Sequence, residues 1–190
     1  VISLDEAHAI LSRNGHADPG SFYGARVTLS LGAGLFFEGV RCPQFNVADQ
    51  IFDTFELPVY VLTHECDIDP ENRRPFNDAL IVCPVISLQS FLDEAHSRFG
   101  AAAECGQFLA NVARRHVSRL VYLPPSAGAL ENGGFIYLNA LTSTHVSVFE
   151  RKEPFAALSA TGLREVDFAL QNHLLRPKAE PLSDFWRKLH

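Results

Sequence analysis

Long apolar runs are missing from this sequence: none approaches the roughly 20 residues needed to span a bilayer, so no membrane-crossing helix is expected. A surplus of positive charge is missing too. With 16 lysines and arginines against 22 acids the formal charge is -6, which gives no general field to attract a phosphate backbone. Any nucleic-acid contact must then rest on a local basic patch. The densest is Arg114, Arg115, His116 and Arg119, a grouping that reads first as a solvated helix end. Four cysteines occur without a CxxC pair, and no basic-then-apolar leader opens the chain, so neither a disulfide framework nor secretion is expected. A reduced, cytoplasmic protein is the expectation. Also absent are a G-x-x-x-x-G-K phosphate loop, EF-hand spacing, internal repeats and low-complexity tracts.

What is present suits one core. A chain of 190 residues with 47% hydrophobic side chains is ordinary for a single globular domain, expected over 1–176 with a C-terminal extension, 177–190, whose Phe185, Trp186 and Leu189 dock elsewhere. Ser3 and Glu6 form a capping box ahead of the stripe Ala7, Ile10, Leu11, closed by Asn14-Gly15. Asp18-Pro19-Gly20 reads as a turn. From Tyr23 to Val40 the text is strand-like, with Gly32, Gly34 and Gly39 marking turns or bulges. Arg41 to Glu56, with Phe45, Ile51, Phe52 and Phe55 scattered among polar residues, reads as a covering loop with extended pieces. Val59–Thr63 and Ala79–Ile86 are apolar, β-prone runs and are expected to be neighbouring strands. Ser90 to Arg98 and Ala101 to Arg115 read as helices broken at Gly100, forming a helical insertion near 88–116. Leu120–Leu123 and Phe135–Leu138 read as strands, and Ser159 caps a helix carrying Leu163, Val166, Leu170 and Leu174.

The chemistry gathers at one junction. The apolar run from Leu57 stops at Thr63, His64, Glu65, Cys66 and Asp67, and polar groups at a strand end commonly face a cleft. Residues 64 and 66 of a strand share a face, so His64 as base and Cys66 as nucleophile are the catalytic candidates. The plainer account makes Cys66 a small buried hydrophobe and gives Asp67 to a turn before Asp69-Pro70. A zinc site joining His64 and Cys66 to Cys83 or Cys42 lacks a closely spaced ligand pair, and the acids Glu65, Asp67, Asp69 and Glu71 read as a solvated turn; no metal and no cofactor are expected. Tyr122, Phe135 and Tyr137 offer stacking surfaces to single-stranded nucleic acid, which barrel packing explains equally well.

The text LPVYVLTHECD followed by ALIVCPVIS is similar to the paired strands "RPVVVLS … VVVAPIT" of the MazF/PemK-like toxins. Leu141 to Leu174 resembles that family's C-terminal block, in which a threonine-containing strand leads through a basic turn into a final helix. The resemblance implies an α+β fold, a small SH3-like antiparallel β-barrel of MazF/PemK type with surrounding helices; residues 88–116 and the first 20 lie outside the family's minimal form. It also implies a bacterial growth-inhibition, defence or regulatory protein that recognises RNA or a protein partner, and a homodimer. By position, the toxins' RNA-cleaving arginine becomes Leu57 and their assisting hydroxyl Ser87. With no cation at 57, the ribonuclease mechanism loses its main electrostatic contribution. The strand end, with a following "CPV" and a late "YLP", is similar as well to a group of bacterial proteins of no assigned activity. Three readings stand: recognition through Thr63, His64, Glu65, Cys66 and Asp67 with Ser87 nearby; a cysteine-dependent hydrolase or transferase; and a structural interaction module.

Overall fold

The computed structural model describes residues 2–15, 19–24, 31–46, 49–72, 75 and 78–175. The extension 177–190, the basic residues at 73 and 74, and the expected strand positions Val27 and Leu29 lie outside them. Among the described residues the chain is α+β with an entirely antiparallel sheet. The strands are β1 (Leu35–Asn46), β2 (Ile51–Val61), β3 (Ala79–Ser87), β4 (Leu120–Leu123), β5 (Gly134–Tyr137), β6 (Thr142–His145) and β7 (Ala156–Ala157), ordered β4-β5-β3-β2-β1-β7, with β6 on β3.

β3 organises the sheet because it is apolar along nearly its whole length. Its middle pairs with the end of β2 (Val59↔Pro84, Val61↔Val82), its start with β6 and its end with β5. The barrel implied by the resemblance is not confirmed. β6 reaches β1 through side chains: Thr144 Oγ1 donates to the Arg41 carbonyl at 3.0 Å and Thr142 Oγ1 to that of Pro43 at 3.4 Å, so among the described residues no backbone ladder closes the sheet. Gly39 is the expected bulge. At φ +60 it occupies the left-handed region that glycine tolerates, and the β1–β2 register shifts between Phe37 and Val40.

Helices cover the sheet in two places. Helix α1 (Leu4–Asn14) begins at the full Ser3/Glu6 capping box. A four-residue helix, α2 (Pro19–Phe22), stands where a turn was expected. Helices α4 (Leu88–Arg98) and α5 (Ala102–Ala113) pack with α1 through Leu11, Leu88, Leu92 and Leu109 onto Phe135 of β5. A second cluster centres on Phe36, Tyr60, Ile136 and Val166, the last from α6 (Ala160–Leu174), which starts at the Ser159 cap. Leu35, Val40, Val59, Leu80 and Phe149 form a third. The expected covering loop at 41–56 is instead a β-hairpin: β1 runs on to Asn46 and β2 starts at Ile51.

Candidate functional site

Beyond Val61 the chain leaves the sheet and turns through Thr63 into a single helical turn, α3 (Glu65–Ile68). Thr63 Oγ1 accepts the Ile81 amide at 2.7 Å and so extends the β2–β3 pairing by one side-chain bond. His64 is the N-cap of α3. Its Nδ1 accepts the Cys66 amide at 3.2 Å, which leaves its proton on Nε2 and gives that ring nitrogen to the backbone, not to a thiol. Asn72 Nδ2 then donates to the Cys66 carbonyl at 2.7 Å, and Asp69 Oδ1 accepts the Glu71 amide at 2.9 Å. Glu65 packs tightly against Gly32, where an added Cβ would lie 2.9 Å from the glutamate Cβ. His64, Glu65, Cys66 and Asp67 all face solvent.

The antiparallel register separates the remaining candidate. Ile81 faces Thr63, whereas Ser87 lies six residues farther along β3, about 20 Å away at 3.3 Å per residue. Ser87 caps α4, its Oγ accepting the Ser90 amide at 3.1 Å. Leu57, at the toxins' arginine position, packs on the Val40 and Leu80 cluster. The basic patch disperses: Arg114 reaches Asn14, Arg115 pairs with Glu165 and stacks over Phe168, and Arg119 lies over Phe108. Burial pushes the Cys42 thiol up to about 11 and that of Cys83 up to about 12, and raises Cys105; Cys66 alone of the four is exposed. Among the described residues no group of three or more His, Cys, Asp or Glu side chains is placed to hold a metal ion.

Sequence reasoning missed the hairpin. Its outer half carries Phe45, Ile51, Phe52 and Phe55 at 52, 52, 74 and 42% exposure, and the rings of the cross-strand pair Phe45–Phe52 meet edge to face at 5.3 Å. Its backbone directions follow from β6. Because the Arg41 and Pro43 carbonyls point to Thr144 and Thr142, the alternate residues 41, 43 and 45 of β1 face away from β2. Their partners Glu56, Thr54 and Phe52 therefore sit in non-hydrogen-bonded pairs and turn their own N–H and C=O away from β1. Pro43 fits this register, since its missing N–H falls on the side away from the β2 ladder. Beyond Val59–Val61 no described strand takes those groups, so, among the described residues, 51–57 stand as an open edge.

No family model matches the chain, and no curated protein does. Among solved structures it is similar to MazF (Form-I) from Deinococcus radiodurans, at 19% identity and TM-score 0.43, covering 78% of this chain and 99% of that one. It is also similar to MazE-MazF (Form-II) from the same organism, at 19% identity and TM-score 0.39, covering 77% and 96%. At those values its chemistry has to come from its own residues. Those residues give a self-satisfied polar corner at 63–72 and, at the other end of β2, an open apolar edge.

Proposed function

We propose that this protein acts by binding another protein chain, which adds as an extended strand to the open edge of β2. One observation carries the reading: Phe52, Thr54 and Glu56 direct three backbone donor–acceptor pairs outward from a hairpin whose large apolar side chains are exposed. Strand addition supplies affinity through such main-chain bonds and specificity through alternate side chains. An edge of this kind left open is a liability unless it is used.

Charge selects the partner. Between 41 and 57 the sequence holds one cation, Arg41, already paired with Glu56 at 3.0 Å, against Asp49, Asp53 and Glu56. That balance repels a phosphate backbone and favours an extended segment with apolar residues alternating with lysine or arginine. Of the two partner types that the toxin resemblance implies, the hairpin favours protein over RNA. The Thr63–Asp67 corner, at the other end of β2, takes a lesser part in this reading, its hydroxyl and imidazole being engaged in holding the turn.

Selection from a displayed library of random 12-residue peptides tests the proposal, with structured and unstructured RNA as parallel ligands in a gel-shift arm. The expected peptides alternate apolar and basic residues, lose capture on Thr54→Pro and Phe52→Ser, and keep it on Cys66→Ser. Peptides that bind Thr54→Pro undiminished would place the contact elsewhere. An RNA shift abolished by His64→Ala/Cys66→Ala would return function to the corner.

A further inference from the structure

Between α4, α5, β4 and β5 lies a cavity of about 320 Å³, at the lower end of the roughly 300–1,000 Å³ of small-molecule pockets. Its walls are aromatic. Phe91 and Phe108 lie nearly parallel, 11° apart with centroids at 5.8 Å, and Phe99 meets Phe108 at 5.4 Å. All three rings pack on the cluster beneath α4 and α5 and line the groove with what that packing leaves uncovered.

The polar groups at its mouth converge. Arg119 is laid across Phe108 with its guanidinium carbon 5.9 Å from the ring centroid, and no described carboxylate or carbonyl takes its N–H groups. Arg98 borders the same cavity, tethered to Glu94 one helical turn back. Tyr137 closes the far wall, and its hydroxyl has no described partner, whereas the Tyr23 hydroxyl donates to Pro124 at 2.7 Å. Aromatic faces accept a planar ring by stacking, and a guanidinium held over a ring has its donors free for an oxyanion.

We infer that this cavity binds a nucleoside monophosphate, the base stacked against Phe91 and Phe108 and the phosphate held by Arg119 and Arg98. The same chemistry occurs free in solution and at the 5′ end of a nucleic-acid strand, and the groove's size favours the free nucleotide. The site does not depend on the open edge of β2, so either proposal can fail alone.

Titration of the ¹⁵N-labelled chain with 5′-AMP and 5′-UMP, followed by amide shifts, tests it. Saturable shifts are expected around Phe91, Phe99, Phe108 and Arg119, with little response to adenosine or inorganic phosphate alone. Arg119→Gln and Arg98→Gln replace exposed side chains and leave the core intact; each is expected to weaken AMP at least about tenfold, the loss of one charge-assisted contact. A 5′-phosphorylated dinucleotide that binds more weakly than AMP assigns the free nucleotide, and one that binds more tightly assigns a strand end. Absence of saturation by either nucleotide in the millimolar range, or AMP binding untouched by both substitutions, overturns the inference.

Discussion

The two halves of β2 carry similar side chains in opposite circumstances. Val59, Tyr60 and Val61 are sealed between β1 and β3, none more than 1% exposed, while Ile51, Phe52 and Phe55 stand in solvent on the same strand. The difference is made by β3, which pairs with β2 for three residues only and then follows β5. Apolar character at the inner half is used up in folding. At the outer half it contributes little to folding beyond the Phe45–Phe52 contact and stands as surface that a partner can cover.

The largest effect separating the halves is in stability. Tyr60→Ala removes a fully buried ring that packs on Phe36 with centroids at 5.1 Å, and by the scale of buried aromatic truncations should cost about 3–5 kcal/mol in urea unfolding. Phe52→Ala forfeits one exposed ring pair and should cost no more than about 1 kcal/mol. Equal costs would mean that the hairpin tip is packed in solution and the contrast is false.

Adjacent residues of the outer half should respond to proline in opposite ways. Asp53 faces Gln44 in a hydrogen-bonded pair, so Asp53→Pro deletes a ladder bond and should cost about 3 kcal/mol. Thr54 points its N–H outward, and Thr54→Pro should stay within about 1 kcal/mol while abolishing peptide capture. Reversed costs would invert the assigned edge. The inner clusters also predict an alkaline limit. Cys42 and Cys83 have thiols raised from 9.0 to about 11 and about 12 by burial, and burial raises Tyr122 from 10.0 to about 12. The unfolded chain loses these protons first, so their contribution is complete below about pH 9 and declines as pH climbs through 11 to 12. Unfolding midpoints should fall over that window.

Elements with local chemistry were legible in the sequence. Ser3 with Glu6 and Ser159 with its apolar stripe each state a helix start in their own residues, and Gly39 stated its bulge. The hairpin was illegible for a physical reason: alternation marks a strand only when one face is buried, and 51–57 has Phe52 outward on one face and Ile51 and Phe55 outward on the other. Ser87 was placed near Thr63 through the resemblance, as the toxins' assisting hydroxyl carried over by position, whereas the antiparallel register puts the end of β2 beside the beginning of β3. The cap on α3 was hidden because histidine is not among the usual capping residues.

The smallest effects belong to the corner and decide its rank. Thr63→Val deletes the acceptor for the Ile81 amide at an exposed position and should cost about 1 kcal/mol. His64→Ala removes the α3 cap and should cost about 0.5–1 kcal/mol. Both losses would be of stability alone, with peptide capture at the hairpin unchanged within error, because Thr63 and the outer half of β2 are separated by the buried segment Val59–Val61. Native thiol titration supplies the companion control: one fast equivalent, lost in Cys66→Ser, with the other three released on unfolding. Should His64→Ala abolish capture while leaving the unfolding midpoint in place, the imidazole would be contacting the partner, and the open edge of β2 would be the bystander.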